Sequence, residues 1–165
     1  MPAGSTYSTI ATTTLGSNTT TVTFSSISGS YTDLILVASG TVTSGGNIDC
    51  DMFINSDTGT NYGRTYMFGN GTSASSGRNT SAAAALGYYW SSTTVCNTIF
   101  HFMNYSNTTT FKTMLTRNNN PGNSTYAGVG TWRSTSAITR LDMTPTASAQ
   151  WSSGSTFTLY GISCA

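Results

Sequence analysis

One histidine, five aspartates and three cysteines hold most of the side-chain chemistry that a hydrolase or metal site would draw on. His101 lies inside the apolar run "TIFHFM". A Ser or Cys nucleophile would need it as base, because no other group here titrates near neutral pH without a large shift. No GxSxG elbow presents a serine to it, so the sequence favours a packed or half-exposed histidine hydrogen-bonded to a neighbour. Asp49 and Asp51 stand two apart on one strand face, which makes their carboxylates neighbours. Such a pair can share acid and base roles in glycoside hydrolysis or ligate calcium. With Asp33, Asp57 and Asp142 the only other acids, oxygen ligands for a tight cage are short, and the favoured reading is a solvent-facing polar edge. "SDTGTN" at 56–61 resembles a calcium loop only loosely. Cys50, Cys96 and Cys164 follow neither a CxxC nor a zinc spacing and read as free thiols, a Cys50 to Cys96 bridge being the less favoured alternative. "GNGTSASSG" does not lead from a strand into a helix and fails the context required for phosphate binding. No catalytic, cofactor-binding or metal-ligating residue is expected, and the chain reads as a non-enzyme.

The aromatic run Tyr88-Tyr89-Trp90 offers binding instead. It has three fates: stacking against sugar rings, anchoring a subunit interface, where Tyr and Trp are enriched, or packing into the core beneath a loop, the commonest of the three.

These residues must be positioned by strands. Charged residues make up 7% of the chain, Glu is absent, and Ser and Thr together supply about 35%, so helix formers are scarce and strand formers plentiful. The net charge is +1, and the five arginines and Lys112 are scattered along the sequence, which gives no basic stripe and no expectation of nucleic-acid binding. The opening "MPAGSTYSTIATTT" has no basic and apolar leader pattern, and no window approaches a membrane span; synthesis and folding in a cytoplasm are expected.

Period-two runs recur between turn signals. They are "TTTVTFSSI" (19–27), "YTDLILVASGTV" (31–42), "NIDCDMFIN" (47–55), "YGRTYMF" (62–68), a hairpin of 94–105 and 108–117 turning at Ser106-Asn107, then "TYAGVGTWR", "AITRLDMTP" and "GSTFTLYGI" (154–162). Pro121-Gly122 suits a tight turn with a positive φ at Gly122. Residues 1–18 read as an arm and 69–93 as one long loop, within a single domain of 165 residues. The fold class predicted is all-β: a two-sheet antiparallel sandwich of eight to ten strands, with a jelly roll the favoured topology. Two runs are apolar on both faces. Ile35 and Val37 oppose Leu34 and Leu36, and Ile99, Met103 and Tyr105 oppose Phe100 and Phe102. Such strands need a cover on each side, supplied either by the long loop or by a neighbouring subunit. Ile35 and Val37 therefore join Tyr88, Tyr89 and Trp90 as candidate interface or ligand contacts.

The order of "SYTDLILVASG", "INSDTGTNY", "MNYSNTTTFKT", "GTWRSTSAI" and "GSTFTLYGI" resembles a group of small virion proteins of tailed bacteriophages, particularly those of cyanobacterial and other aquatic hosts. The resemblance spans much of Ser30 to Ile162, leaving 69–93 outside. It implies a structural part on the exterior of the phage particle, a capsid decoration or cement subunit or a piece of a tail appendage, without catalytic residues; the reading that follows is a homotrimer bound to the major capsid protein. The alternative it implies is a tail-fibre or receptor-binding module that recognises host glycans.

Overall fold

The computed structural model describes residues 6–163, and Cys164 lies outside them. Among the described residues the chain forms twelve strands and no helix. In chain order they are β1 (Tyr7–Thr14), β2 (Val22–Phe24), β3 (Asp33–Gly40), β4 (Ile48–Ile54), β5 (Tyr62–Gly69) and β6 (Ala74–Ala82). There follow β7 (Ala85–Trp90), β8 (Cys96–Met103), β9 (Lys112–Asn120), β10 (Ser124–Trp132), β11 (Leu141–Pro145) and β12 (Thr156–Ile162). Eight of them build one sheet in the order β1-β12-β3-β8-β9-β10-β5-β6, and four build a second in the order β2-β11-β4-β7. Every pairing is antiparallel. The predicted two-sheet sandwich is what the chain forms, with twelve strands among the described residues rather than eight to ten, because β1, β6 and β7 lie in segments without a clear apolar period. The eight-plus-four division does not reproduce an eight-strand jelly roll, and that topology is not confirmed.

One core joins the two sheets. Leu34 and Leu36 on β3, Phe100 and Phe102 on β8 and Leu159 on β12 meet Met52 and Ile54 on β4 and Leu141 and Met143 on β11. Alternation produces this, because a strand's successive side chains point to opposite faces and only one face looks at the other sheet. At one end the core is aromatic: Trp151 stands edge-on to Trp90, ring centroids 4.6 Å apart at 84°, and edge-on to Phe157 at 5.0 Å.

Four local expectations are corrected. The supposed arm contains β1, which pairs with β12 from Tyr7↔Ile162 to Thr14↔Thr156, so the closing strand is flanked on both sides. The supposed loop 69–93 contains β6, an edge of the large sheet, and β7, an edge of the small one. β6 lacks an apolar period because nearly all of it is exposed and neither face is buried. The β8–β9 hairpin does not turn at two residues: 104–111 form a connection in which the Asn107 side chain accepts from the Thr109 and Thr110 amides, and β9 then runs on to Asn120. Its last asparagines stay in the strand because their amides have partners: Asn118 donates to Thr98 Oγ1 at 2.6 Å and Asn120 to the Gly46 carbonyl at 3.1 Å. Finally, the positive-φ glycines are Gly45, Gly71 and Gly154, not Gly122; the turn there closes through the Asn123 amide on the Asn120 carbonyl at 2.9 Å.

Candidate functional site

The two-sided strands show where a binding surface lies. Leu34, Leu36, Phe100 and Phe102 fill the core, and the alternate set faces outward from the large sheet. Cross-strand partners share a face, so the pairing registers trace that surface row by row. One row runs Ile35, His101, Leu115, Val129, Thr65, Arg78, and the next runs Val37, Ile99, Arg117, Ala127, Met67. The candidate contacts Ile35 and Val37 thus lie in these two rows, half-buried, on the outer face, and the rows continue beyond them to Tyr160 and Thr158 on β12. Segment 69–93 does not cover them: β6 extends the same sheet at its far edge and β7 lies in the other sheet.

Toward β6 the face opens into a groove of about 590 Å³ walled by Ile99, His101, Leu115, Arg117, Val129 and Met67. Met67 is 65% exposed, Val129 48% and Leu115 39%. A second hollow of about 380 Å³ shares Thr65 and Val129 with it and adds Arg78, Arg133 and Phe111. Arg133 is fixed there: its Nη2 donates to the Thr60 carbonyl at 2.6 Å, and its guanidinium lies against Gly63, where an added Cβ would sit 3.2 Å from Nη1. The arginines that look scattered in the sequence therefore gather on this part of the surface through the register of four strands. The one lysine stays out of it, since Lys112 is buried with its ammonium on the Thr110 and Thr135 carbonyls.

His101 occupies the groove wall, but the hydrogen bond of its ring is to Asp33, Nε2 to Oδ2 at 2.8 Å. Asp33 also accepts from the Asn104 amide at 2.7 Å. The pair ties the end of β8 to β3. Asp49 and Asp51 are half-buried rather than solvent-facing. Burial pushes both carboxyls above the ordinary aspartate range, opposed by the positive charge of Arg64, and the Asp49 charge raises Asp51 further. Arg64 turns its guanidinium over the Tyr66 ring, 5.9 Å from the centroid.

Asp57 organises the "SDTGTN" turn as an acceptor, not a metal ligand. It takes the Trp132 indole at 2.7 Å, the Gly59 amide at 2.9 Å and the Asn61 side chain at 2.9 Å. Among the described residues no group of three His, Cys or Asp side chains is placed to hold a metal. Cys50 and Cys96 are free and buried, and burial pushes both thiols up, away from the reactive thiolate.

The aromatic run is split. Trp90 is fully buried in the core, not among the surface contacts expected of it. Tyr89 is half-buried, with its ring edge-on to Phe68 at 6.5 Å, and the side chain of Tyr88 lies outside the described residues. What sequence reasoning missed is the Met67, Leu115, Val129 floor and its arginines. The spacing within each strand shows which residues face outward, but only the register brings them together. No family model matches the chain, and no curated protein shows significant similarity to it.

Proposed function

We propose that this chain is a non-enzymatic structural protein of a phage virion, a capsid decoration or cement subunit on the outer head surface, which attaches to neighbouring virion protein through the outer face of its eight-stranded sheet. The supporting observation is the contiguous exposure of Met67, Leu115 and Val129 on a hydrogen-bonded sheet. Exposed apolar groups gathered in one groove mark an interaction surface, whereas isolated ones do not. Burying them against a partner removes apolar area from water at about 25 cal/mol per Å², and a rigid sheet loses little conformational entropy on docking. Methionine, aromatic residues and arginine are the types enriched at such contacts. The sequence resemblance supplies the virion context, and the expected homotrimer is part of the proposal.

The test uses heads of the encoding phage purified without this chain. Added protein should co-sediment with them, and Met67→Glu should cost about 2 kcal/mol of binding, roughly thirtyfold. Solution mass reads the trimer. Heads that fail to bind the wild-type chain would remove the decoration assignment. Glycan binding retained in Met67→Glu would favour the tail-fibre alternative.

A further inference from the structure

We infer that the partner of this groove is an acidic segment of a different protein, an extended stretch in which carboxylates flank an aliphatic side chain. The inference rests on the outer-face reading above and names the chemistry of what docks there.

Of the five arginines, Arg140 is spent on Asp142, Nε to Oδ2 at 2.8 Å, and Arg64 lies over Tyr66. Arg78, Arg117 and Arg133 line the groove and the hollow beside it, and none has a carboxylate within ion-pair distance among the described residues. Guanidinium groups beside apolar surface favour carboxylates, which they can bind through two parallel hydrogen bonds.

Among the described residues a second copy of this chain has no uncommitted, exposed carboxylate to offer. Asp142 is held by Arg140 and Thr23, Asp57 by Trp132, Gly59 and Asn61, and Asp33 by His101 and Asn104. Asp49 and Asp51 are recessed. With no glutamate in the chain, a like face brought against this one would set arginine against arginine. The floor favours an aliphatic side chain, since its exposed residues Met67, Leu115 and Val129 are themselves apolar and carry neither ring nor hydroxyl, while the exposed ring of Phe111 lies to one side in the second hollow.

Register also sets the spacing. Arg117 lies on β9 and Arg78 on β6, three strands away and one row over. At about 4.8 Å per strand and about 7 Å per row, they stand roughly 16 Å apart. Four steps of an extended chain span about 13.5 Å, and the length of the facing side chains makes up the difference. Carboxylates at positions i and i+4 would therefore reach the two arginines, with the side chain at i+2 over Met67 and Val129.

The experiment titrates the full chain with a blocked peptide of core Asp-Thr-Leu-Thr-Glu, with its amide analogue Asn-Thr-Leu-Thr-Gln, and with an oligogalacturonate, following amide shifts by NMR. The acidic peptide should bind from twofold to about thirtyfold tighter than the amide analogue, the product of two exposed charge pairs. Its largest shifts should fall on β5, β9 and β10. An Arg78→Ser/Arg117→Ser variant with unchanged melting temperature should lose that preference and should also bind phage heads more weakly. Equal affinity for the two peptides would overturn the inference, as would tighter binding of the oligogalacturonate. If heads bind the wild type and the double variant equally, the acidic-partner inference falls while the decoration reading stands. If heads ignore the wild type but the peptide preference holds, the decoration reading falls and the surface chemistry stands.

Discussion

Replacing Trp90 by alanine should separate a core tryptophan from a binding one. The indole is fully buried, edge-on to Trp151 at 4.6 Å. Beyond the methyl that alanine keeps, the side chain buries on the order of 150 Å², worth about 4 kcal/mol at the usual area coefficient. Loss of the edge-to-face pair adds about 1 kcal/mol. The sum, about 5 kcal/mol, sits at the top of the range for aromatic-to-alanine changes and equals a large share of a domain's typical stability of about 5 to 15 kcal/mol. Equilibrium unfolding in urea, followed by Trp151 and Trp132 fluorescence and by circular dichroism, reads the loss directly. Trp90→Phe, which keeps an aromatic ring in the site, should cost less than half as much. A loss under about 1.5 kcal/mol for Trp90→Ala would refute the packing argument, since even relief of the indole N–H, which is buried without a hydrogen-bond partner among the described residues, offsets only about 1 to 3 kcal/mol of the sum. A stable variant that had lost only binding would return Trp90 to the surface.

Two further predictions concern acid and close contact. Burial works against ionisation of Asp142, but the hydrogen bonds from Arg140, Thr23 and Ser56 outweigh it and hold its carboxyl below the ordinary value; Asp57 is likewise depressed by Trp132, Asn61 and Gly59 despite burial. Their stabilisation is present above about pH 3.9 and lost as pH falls further, whereas Asp49 and Asp51, raised chiefly by burial, favour folding below that value and lose their contribution as pH rises through their folded values. Thermal melts across acid pH should show a steep loss below about pH 4 that Asp142→Asn blunts, and a decline confined to the range between pH 5 and 7 would contradict this. An added Cβ on Gly40 would collide with the Ser155 Cβ and lie 2.9 Å from its backbone Cα, so Gly40→Ala should overpack by about 1 to 3 kcal/mol and lower the melting temperature by about 3 to 10 °C. A calorimetric shift under about 1 °C would show that the strands part there at little cost.

The parts of the fold legible in the sequence are those where one face is buried. "NIDCDMFIN" and "GSTFTLYGI" alternate because Cys50, Met52 and Ile54, and Phe157 and Leu159, enter the core while their neighbours do not. The double-sided character of β3 and β8 was equally plain, and it pointed to the outer face. β6 was illegible for the opposite reason: an exposed edge strand of Ser, Ala, Gly and Asn has no buried face to impose a period. Trp90 could not be placed because a run of three aromatics has no period of its own. The shared face of the arginines was hidden most deeply. Positions 78, 117 and 133 come onto one side of the sheet only through pairings across β6, β5, β10 and β9 that no local pattern encodes. The same holds for Asp57, in a turn with only a loose likeness to a calcium loop, whose indole partner Trp132 lies far away in sequence.

The pairing of β1 with β12 has a consequence for synthesis. The ladder that joins Tyr7 to Ile162 links the first described strand to the last described one, so β1 leaves the ribosome long before its partner exists. At about 5 to 20 residues per second, the wait is on the order of ten seconds. A greasy segment idle for that time would recruit wrong neighbours, but β1 reads "YSTIATTT", mostly hydroxyl side chains that water can satisfy. Its mild composition equips the strand to stay single while the rest of the sheet is built, and then to complete the edge once β12 emerges.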